Sequence, residues 1–259
     1  MWLLLILIGA GAAVQVQGVQ RTDENSRIAH QELVGKARSG HIDLYFAGDS
    51  ITRRWGTSDV AYRTFYENWR RNFFGWNAAN FGWGGDTVQN VLWRMENGEL
   101  DGVNPKMIVL MAGTNNVGKE APRGDNDPRV QEVTQGVERI IQVFREKAPE
   151  AVIVLMGITP RNDNPAVMPI IDGINENIAK MGDGKRIRYV NINSKLVDQH
   201  GKFLPGMANE DGLHLDVGAY QVWADAIKPI LTEVLGEPAK VDRAPPPTGD
   251  PSVRAKSSD

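Results

Sequence analysis

Two uninterrupted apolar runs constrain the fold of this chain more than any other feature of its sequence. Met107–Ala112 and Val152–Met156 contain no charged side chain, a pattern typical of strands that are covered on both faces. Three more strands are predicted where apolar segments begin at Leu44, Asn77 and Arg188. Helical patterns separate the strands, and such alternation indicates a parallel sheet with right-handed crossovers. We therefore expect one three-layer α/β/α domain with five parallel strands.

The two ends of the chain differ from its middle in composition. Residues 2–10 are apolar and small residues follow them, which matches a secretory signal peptide and is short for a membrane span. We predict a signal peptide at residues 1–18, cleaved between Ala13 and Gly18, and a secreted or periplasmic mature protein. No Lys or Arg precedes the apolar run, so a retained membrane anchor or a buried N-terminal strand is the alternative.

The C-terminal stretch is predicted to be a separate tail. Residues 237–259 contain five prolines and no apolar periodicity. Such a segment buries too little surface to offset its ordering entropy, so disorder is expected there. The folded domain is then predicted to span residues 25–236.

Composition excludes several kinds of chemistry. The chain has no cysteine, so disulfides, thiolate nucleophiles and cysteine-based metal sites are excluded. A net charge of −3 gives no basic field for nucleic acid. We expect a small-molecule or carbohydrate ester as partner and no stable membrane insertion after signal cleavage, while the oligomeric state stays open.

The first strand ends in Gly48-Asp49-Ser50, which makes Ser50 a candidate nucleophile. A serine just past the carboxyl end of a parallel strand lies where open α/β sheets bind their ligands. The alternative is that Asp49 and Ser50 only cap the following helix, a common role for both residue types. The remaining polar segments must decide between these interpretations.

A serine nucleophile needs a base and a third group that orients the base. Of the four histidines, His30 precedes the sheet, His41 lies at the amino end of the first strand, and His200 is in a predicted surface turn. His214 remains as the candidate base, with Asp211 three residues upstream as its orienting carboxylate. Taken alone, this Asp-x-x-His segment also fits a capping loop with a surface histidine.

Acyl transfer also needs donors for the charge that develops on the carbonyl oxygen. Gly84 and Gly85 follow the second strand and allow a backbone N–H to approach a substrate closely. Asn115 follows the third strand and offers a side-chain amide, and the N–H of Ser50 is a third donor. A helix-entry turn and an ordinary turn residue are the alternatives for Gly84-Gly85 and Asn115.

Four segments in this order resemble the signature blocks of the SGNH (GDSL-type) hydrolases: Gly48-Asp49-Ser50, the Gly85 loop, Gly113-Thr114-Asn115 and Asp211-x-x-His214. The stretches 80–87 and 91–100 further resemble the catalytic subunits of platelet-activating-factor acetylhydrolase. The resemblance implies a flavodoxin-like sheet, Ser50 as nucleophile, His214 as base and Asp211 as its orienter. It also implies an oxyanion hole formed by Ser50, Gly85 and Asn115. This chemistry requires no metal and no organic cofactor.

Together these features predict a secreted serine esterase that removes small acyl groups, above all acetyl, from a carbohydrate. Trp83 and the polar loop Thr159–Asn164, with Arg161 and Asn162, are predicted to contact the alcohol part of the substrate. Trp83 fits either a sugar-stacking platform or a packing residue.

Two other functions remain open from the sequence. A lysophospholipase or thioesterase would need an apolar channel for a long acyl chain. A non-catalytic glycan-binding module could use the same fold, although the complete set of Ser50, Asp211 and His214 argues against it.

Overall fold

The computed structural model describes residues 16–256, and its centre is one parallel sheet with the strand order β2-β1-β3-β4-β5. The strands are β1 (Leu44–Gly48), β2 (Ala78–Gly82), β3 (Met107–Met111), β4 (Val152–Met156) and β5 (Ile187–Val190). The five-stranded α/β architecture predicted from the sequence is therefore confirmed. Residues 1–15, which include the apolar run of the predicted signal peptide, lie outside the described residues.

Helices connect the strands and cover both faces of the sheet. They are α1 (Glu24–Ala37), α2 (Ser50–Trp55), α3 (Arg63–Phe73), α4 (Val88–Arg94), α5 (Thr114–Val117), α6 (Pro128–Lys147), α7 (Met168–Ala179), α8 (Asn193–Leu196), α9 (Val217–Leu235) and α10 (Pro251–Lys256). Within the described part of the chain, no helix has the length and apolar character that a membrane crossing requires.

The sheet separates two apolar cores because successive side chains of a strand point to opposite faces. Tyr45 and Ile108 pack on the face that α1, α4, α6 and α7 cover. Their neighbours Phe46 and Val109 pack on the other face, against α2, α3 and α9. Burial on both faces explains why the strand sequences are continuously apolar rather than alternating.

The carboxyl ends of three strands meet at Gly48. In the sheet register, Gly48 lies beside Gly82 of β2 and Met111 of β3. A Cβ atom at Gly48 would lie 2.4 Å from the Met111 carbonyl oxygen, so only glycine fits this close approach. The turns after β1, β2 and β3 consequently start side by side.

Residues 237–250 pack against the domain, which corrects the prediction of a disordered tail beginning at residue 237. The N–H of Gly75 donates to Oδ2 of Asp242 at 2.8 Å, and the N–H of His41 donates to the carbonyl of Arg243 at 3.0 Å. Residues of the segment and of β2 together line a cavity of about 270 Å³. Hydrogen bonds hold this segment, and its prolines lower the entropy cost of ordering it. Hydrogen bonds and prolines leave no apolar periodicity in the sequence, so the order of this segment could not be predicted from the apolar pattern.

Candidate active site

Ser50 is the first residue of α2 and follows β1 after a single intervening residue, Asp49. Oδ1 of Asp49 accepts a hydrogen bond from the N–H of Ile51 at 2.9 Å, so Asp49 is the N-cap of the helix. Burial raises the pKa of Asp49 to about 7, against the opposing effect of this hydrogen bond. The two interpretations of this turn are therefore compatible, since Asp49 caps the helix while Ser50 is presented at its first position.

The structure brings Ser50, His214 and Asp211 together in one hydrogen-bonded array. Oγ of Ser50 lies 2.9 Å from Nε2 of His214, and Nδ1 of His214 lies 2.7 Å from Oδ2 of Asp211. Oδ1 of Asp211 accepts the backbone N–H groups of Leu213, at 3.0 Å, and His214, at 2.9 Å. The short loop from Asp211 to His214 thus fixes both side chains at once. We call these three side chains the Ser50 array.

Electrostatics define the proton positions in the Ser50 array. Partial burial opposes ionisation of Asp211, but the N–H groups of His214 and Leu213 outweigh it and lower the Asp211 pKa to about 2. The ionised carboxylate accepts the Nδ1 proton, which leaves Nε2 as an acceptor for the Ser50 hydroxyl. Burial lowers the pKa of His214, and the nearby charge of Arg54 acts in the same direction. His214 is therefore neutral at neutral pH, as a general base must be.

Gly85 and Asn115, the predicted oxyanion donors, lie in neighbouring loops. Gly85 has a φ of +78°, which favours glycine. Nδ2 of Asn115 donates to the carbonyl of Asp86 at 2.8 Å, and the N–H of Trp83 donates to the carbonyl of Gly48 at 3.1 Å. These two bonds join the loops after β1, β2 and β3. The Asn115 nitrogen carries a second N–H that an oxyanion could accept.

A buried ionic cluster supports the same loops, and the sequence alone did not indicate it. The guanidinium of Arg94 donates to two carboxylates, from Nε to Oδ2 of Asp86 at 2.7 Å and from a terminal nitrogen to Glu99. Its terminal nitrogens also donate to two backbone carbonyls, that of Phe81 at 2.8 Å and that of Gly48 at 3.1 Å. We call Asp86, Arg94 and Glu99 the Arg94 cluster. One guanidinium therefore holds the ends of β1 and β2 and the loop that follows β2. A charged residue in the otherwise apolar pattern of α4 was the available signal.

Trp83 packs inside the protein and does not present a platform. Its side chain is only 6% exposed, and its indole N–H donates to Oγ of Ser26 at 2.8 Å. The guanidinium of Arg53 lies over the ring, with its central carbon 4.9 Å from the ring centroid. Of the two roles predicted for Trp83, the structure supports the packing role.

Arg161 also makes internal contacts where the sequence predicted contact with substrate. Arg161 is only 6% exposed, and its guanidinium pairs with both carboxylate oxygens of Asp163 and donates to the carbonyl of Thr114 at 3.3 Å. This charged group finds its partners within its own loop and in the loop after β3. Arg161 thus ties these two loops together.

Asn162 similarly bonds to the protein backbone. Its side-chain oxygen accepts the N–H of Phe203 at 2.7 Å, and its nitrogen donates to the carbonyl of Gly201 at 2.8 Å. The N–H of Asn162 donates to the carbonyl of Gly212 at 2.8 Å. Asn162 therefore positions the segment that carries Asp211 and His214, a role that local sequence cannot distinguish from substrate contact.

Arg54 is a further site residue that the sequence did not single out. Nη1 of Arg54 lies 3.5 Å from Oδ2 of Asp211, and its guanidinium carbon lies 5.1 Å from the ring centroid of Tyr62. Its side chain is partly exposed beside the Ser50 array. Within residues 16–256, no group of three or more histidine and acidic side chains has an arrangement that could hold a metal ion.

The arrangement as a whole suits nucleophilic acyl chemistry. A hydroxyl beside a neutral imidazole, itself oriented by a carboxylate, combines a nucleophile with its general base. Neighbouring loops supply a glycine N–H and an amide nitrogen, the donor types that stabilise an oxyanion.

Comparisons with known proteins show the family of the chain. Residues 46–222 match the model of the GDSL-like lipase/acylhydrolase family. The alpha2 subunit of human platelet-activating factor acetylhydrolase IB is 30% identical over 237 residues, which cover 87% of this chain and 90% of that subunit.

Two solved structures share the fold at lower sequence identity. A GDSL-like lipase from Bacteroides thetaiotaomicron has a TM-score of 0.60 at 18% identity, covering 81% of this chain and 98% of its own. A mutant of an acetyl-xylooligosaccharide esterase from Geobacillus has a TM-score of 0.54 at 18% identity, covering 79% and 99%. The chain is a hydrolase that belongs to the GDSL-like lipase/acylhydrolase family.

Proposed function

We propose that this protein is a secreted carboxylic ester hydrolase that removes acetyl and other small acyl groups, with a carbohydrate as the alcohol. The observation that carries the proposal is the Ser50 array, in which the Ser50 hydroxyl lies 2.9 Å from a base that Asp211 orients. The family supports ester hydrolysis, and the geometry supports Ser50 as the group that attacks.

The proposed reaction has two halves that share one base. Ser50 Oγ attacks the ester carbonyl while Nε2 of His214 takes the hydroxyl proton, and the N–H groups of Ser50 and Gly85 with the Asn115 amide bind the oxyanion. Collapse of the tetrahedral intermediate breaks the ester C–O bond, and His214 returns the proton to the leaving alcohol. Water then attacks the acyl-enzyme with His214 again as base, and the acid and Ser50 are released.

The preference for a small acyl group rests on two lines of support. The names of the human relative and of the Geobacillus neighbour both describe acetyl esters. The exposed large hydrophobic side chains of the described chain are Val19, Ile28, Val60, Phe74, Leu204, Val241 and Val253. None of them lies in the loops after β2, β3 or β4. Pro160, Pro165 and Met168, which follow β4, line a cavity of about 660 Å³, and the acyl preference therefore needs the direct test below.

The preference for a polar alcohol follows from the charged groups beside the Ser50 array. The side chains of Arg54 and Asp211 are partly exposed there. Asp163 lies against the loop from Asp211 to His214, because its N–H donates to the carbonyl of Gly212 at 3.2 Å. Hydroxyl-rich alcohols can replace the water lost from such groups, whereas lipid cannot. The name of the human relative makes an acetylated lipid the second candidate.

A chain-length series tests the acyl preference. We expect kcat/KM on p-nitrophenyl esters to be highest for acetate and to fall beyond about four carbons, because added methylenes find no apolar burial. Each methylene that did find burial would contribute about 0.8 kcal/mol. A rise in kcat/KM from acetate to octanoate would refute the acetylesterase proposal and favour the lysophospholipase or thioesterase alternative.

Two further measurements separate the remaining parts of the proposal. Acetate release from acetylated xylooligosaccharides should exceed release from an acetylated lysophospholipid, and the reverse order would favour a lipid alcohol. For export, N-terminal sequencing of protein recovered outside the cytoplasm should give a first residue between Gln15 and Val19. Soluble protein that retains Met1 would contradict secretion.

A further inference from the structure

The segment before α1 reaches the loop that carries Gly85. The N–H of Val19 donates to the carbonyl of Gln89 at 2.9 Å, and Nδ2 of Asn90 donates to the carbonyl of Val19 at 2.8 Å. These bonds fix the segment along the start of α4, just after the loop formed by residues 83–87. Residues 16–22 are therefore held beside the candidate site although they precede the sheet by some twenty positions in the sequence.

Arg21 extends from this segment over the two glycines. Its Nη1 donates to the carbonyl of Gly84 at 3.2 Å and lies 3.5 Å from Oδ1 of Asp86. Its Nε donates to Oδ2 of Asp23 at 3.1 Å, so the guanidinium is anchored from behind. A Cβ atom built on Gly85 would lie 3.2 Å from the same Nη1.

The contact with the Gly84 carbonyl acts on the N–H of Gly85, because both belong to one peptide group. That peptide is trans, as are all those in the described residues. The carbonyl and the N–H of a trans peptide point in opposite directions in one plane. A donor on the carbonyl therefore fixes the direction of the N–H. A cationic donor also polarises the peptide group and strengthens its N–H as a donor.

We propose that Arg21 is a positioning residue that orients and strengthens the Gly85 N–H as an oxyanion donor. The inference rests on the proposed esterase function. It means that a residue of the segment before α1 helps to form the oxyanion hole. Arg21 does not need to touch the substrate, because it acts through the Gly84–Gly85 peptide. The Arg94 cluster holds the same loop from inside through Asp86, while Arg21 holds it from the partly exposed side.

The test compares Arg21→Ala and Arg21→Lys with Arg27→Ala, a matched loss of one exposed arginine on α1. We expect Arg21→Ala to lower kcat on p-nitrophenyl acetate by roughly 10- to 100-fold with little change in KM, below the 10²–10³-fold cost of losing a whole oxyanion donor. The affinity for a trifluoromethyl ketone that mimics the tetrahedral intermediate should fall by the same factor. Arg21→Lys should retain more activity, and Arg27→Ala should equal the wild type.

Titration of Ser50 with a fluorophosphonate separates positioning from a merely structural role. If Arg21 only stabilised the fold, Arg21→Ala would lower the melting temperature and the fraction of labelled sites, but kcat per labelled site would stay at the wild-type value. That result would overturn the inference, as would an unchanged affinity for the ketone. A wild-type protein that hydrolyses no ester and takes no label would instead overturn the proposed function.

Discussion

Two groups of charged residues flank the Ser50 turn, and they differ sharply in exposure. The Asp211 side chain is 44% exposed and that of His214 is 13% exposed. Asp86 and Glu99 have fully buried side chains, and Arg94 between them is 4% exposed. The first group belongs to the Ser50 array, and the second is the Arg94 cluster.

This difference in exposure corresponds to two different functions, catalysis by a general base and support of the loops. A general base must change its charge during turnover and must meet the substrate, so it needs partial exposure and an adjustable pKa. A support for the loops must keep its charge. Burial opposes ionisation of Arg94, but Glu99 and Asp86 outweigh it and hold the Arg94 pKa above its already high ordinary value. We therefore expect the Ser50 array to control rate and the Arg94 cluster to control stability.

Replacement of Ser50 gives the sharpest test of the first half of this comparison. Ser50→Ala should lower kcat on the order of 10⁶-fold, as loss of a serine nucleophile does elsewhere. The urea unfolding midpoint should not change, because Ser50 is a partly exposed first-turn residue whose cap comes from Asp49. Near-normal turnover in this variant would rule out Ser50 as the nucleophile.

Replacement of Arg94 tests the second half of the comparison, the expectation that the Arg94 cluster controls stability. Arg94→Met removes the buried cation that lies between two buried carboxylates and should cost about 3–5 kcal/mol in free energy of unfolding. Equilibrium urea denaturation measures this loss, with His214→Ala as the matched control that changes stability little. Adding Asp86→Asn and Glu99→Gln to Arg94→Met should recover part of the lost stability. An Arg94→Met protein as stable as the wild type would show that the Arg94 cluster does not control stability.

Asn115 lies between the two groups, since it contacts the loop that the Arg94 cluster supports. Asn115→Ala should lower kcat by roughly 10²–10³-fold with KM nearly constant, as expected for a lost oxyanion donor. Steady-state kinetics on p-nitrophenyl acetate will show which parameter changes. A rise in KM alone would make Asn115 a binding residue.

The pH profile should show the smallest effect. Activity requires neutral His214, so kcat/KM should fall as the pH decreases through the His214 pKa. Because burial and Arg54 lower that pKa, the midpoint of the acidic limb should lie below the ordinary histidine value of about 6.5. Arg54→Gln should move the midpoint upward, while Arg63→Gln, on a far more exposed side chain, should not. A midpoint above 6.5 in the wild type would contradict this assignment.

The sequence predicts the strands and the residues of the Ser50 array well because both depend on local pattern. Met107–Met111 and Val152–Met156 are strands as their apolar runs indicate. The last strand begins at Ile187, one residue before the predicted start at Arg188. Three of its four residues are only partly buried, so the apolar pattern marks its ends poorly.

Polar side chains within the loops are not predicted in the same way. Arg161, Asn162 and Trp83 have the composition of a binding surface, but each is engaged by protein groups distant in the sequence. Arg94 and Arg21 show the converse, since their contacts with the Gly84–Asp86 loop form only after the strands align. Whether a polar group faces a ligand or another loop depends on tertiary structure, which no local pattern records.

The packed segment at residues 237–250 has a consequence for handling the protein. β2 is one of the two outer strands of the sheet and pairs only with β1. An outer strand with unpaired backbone groups is a template for association with a second chain. The proline-rich segment lies beside that strand and has few N–H groups with which to extend the sheet further. A version of this protein shortened at Gly236 would bare the strand and would tend to aggregate, even though every residue of the Ser50 array remained in place.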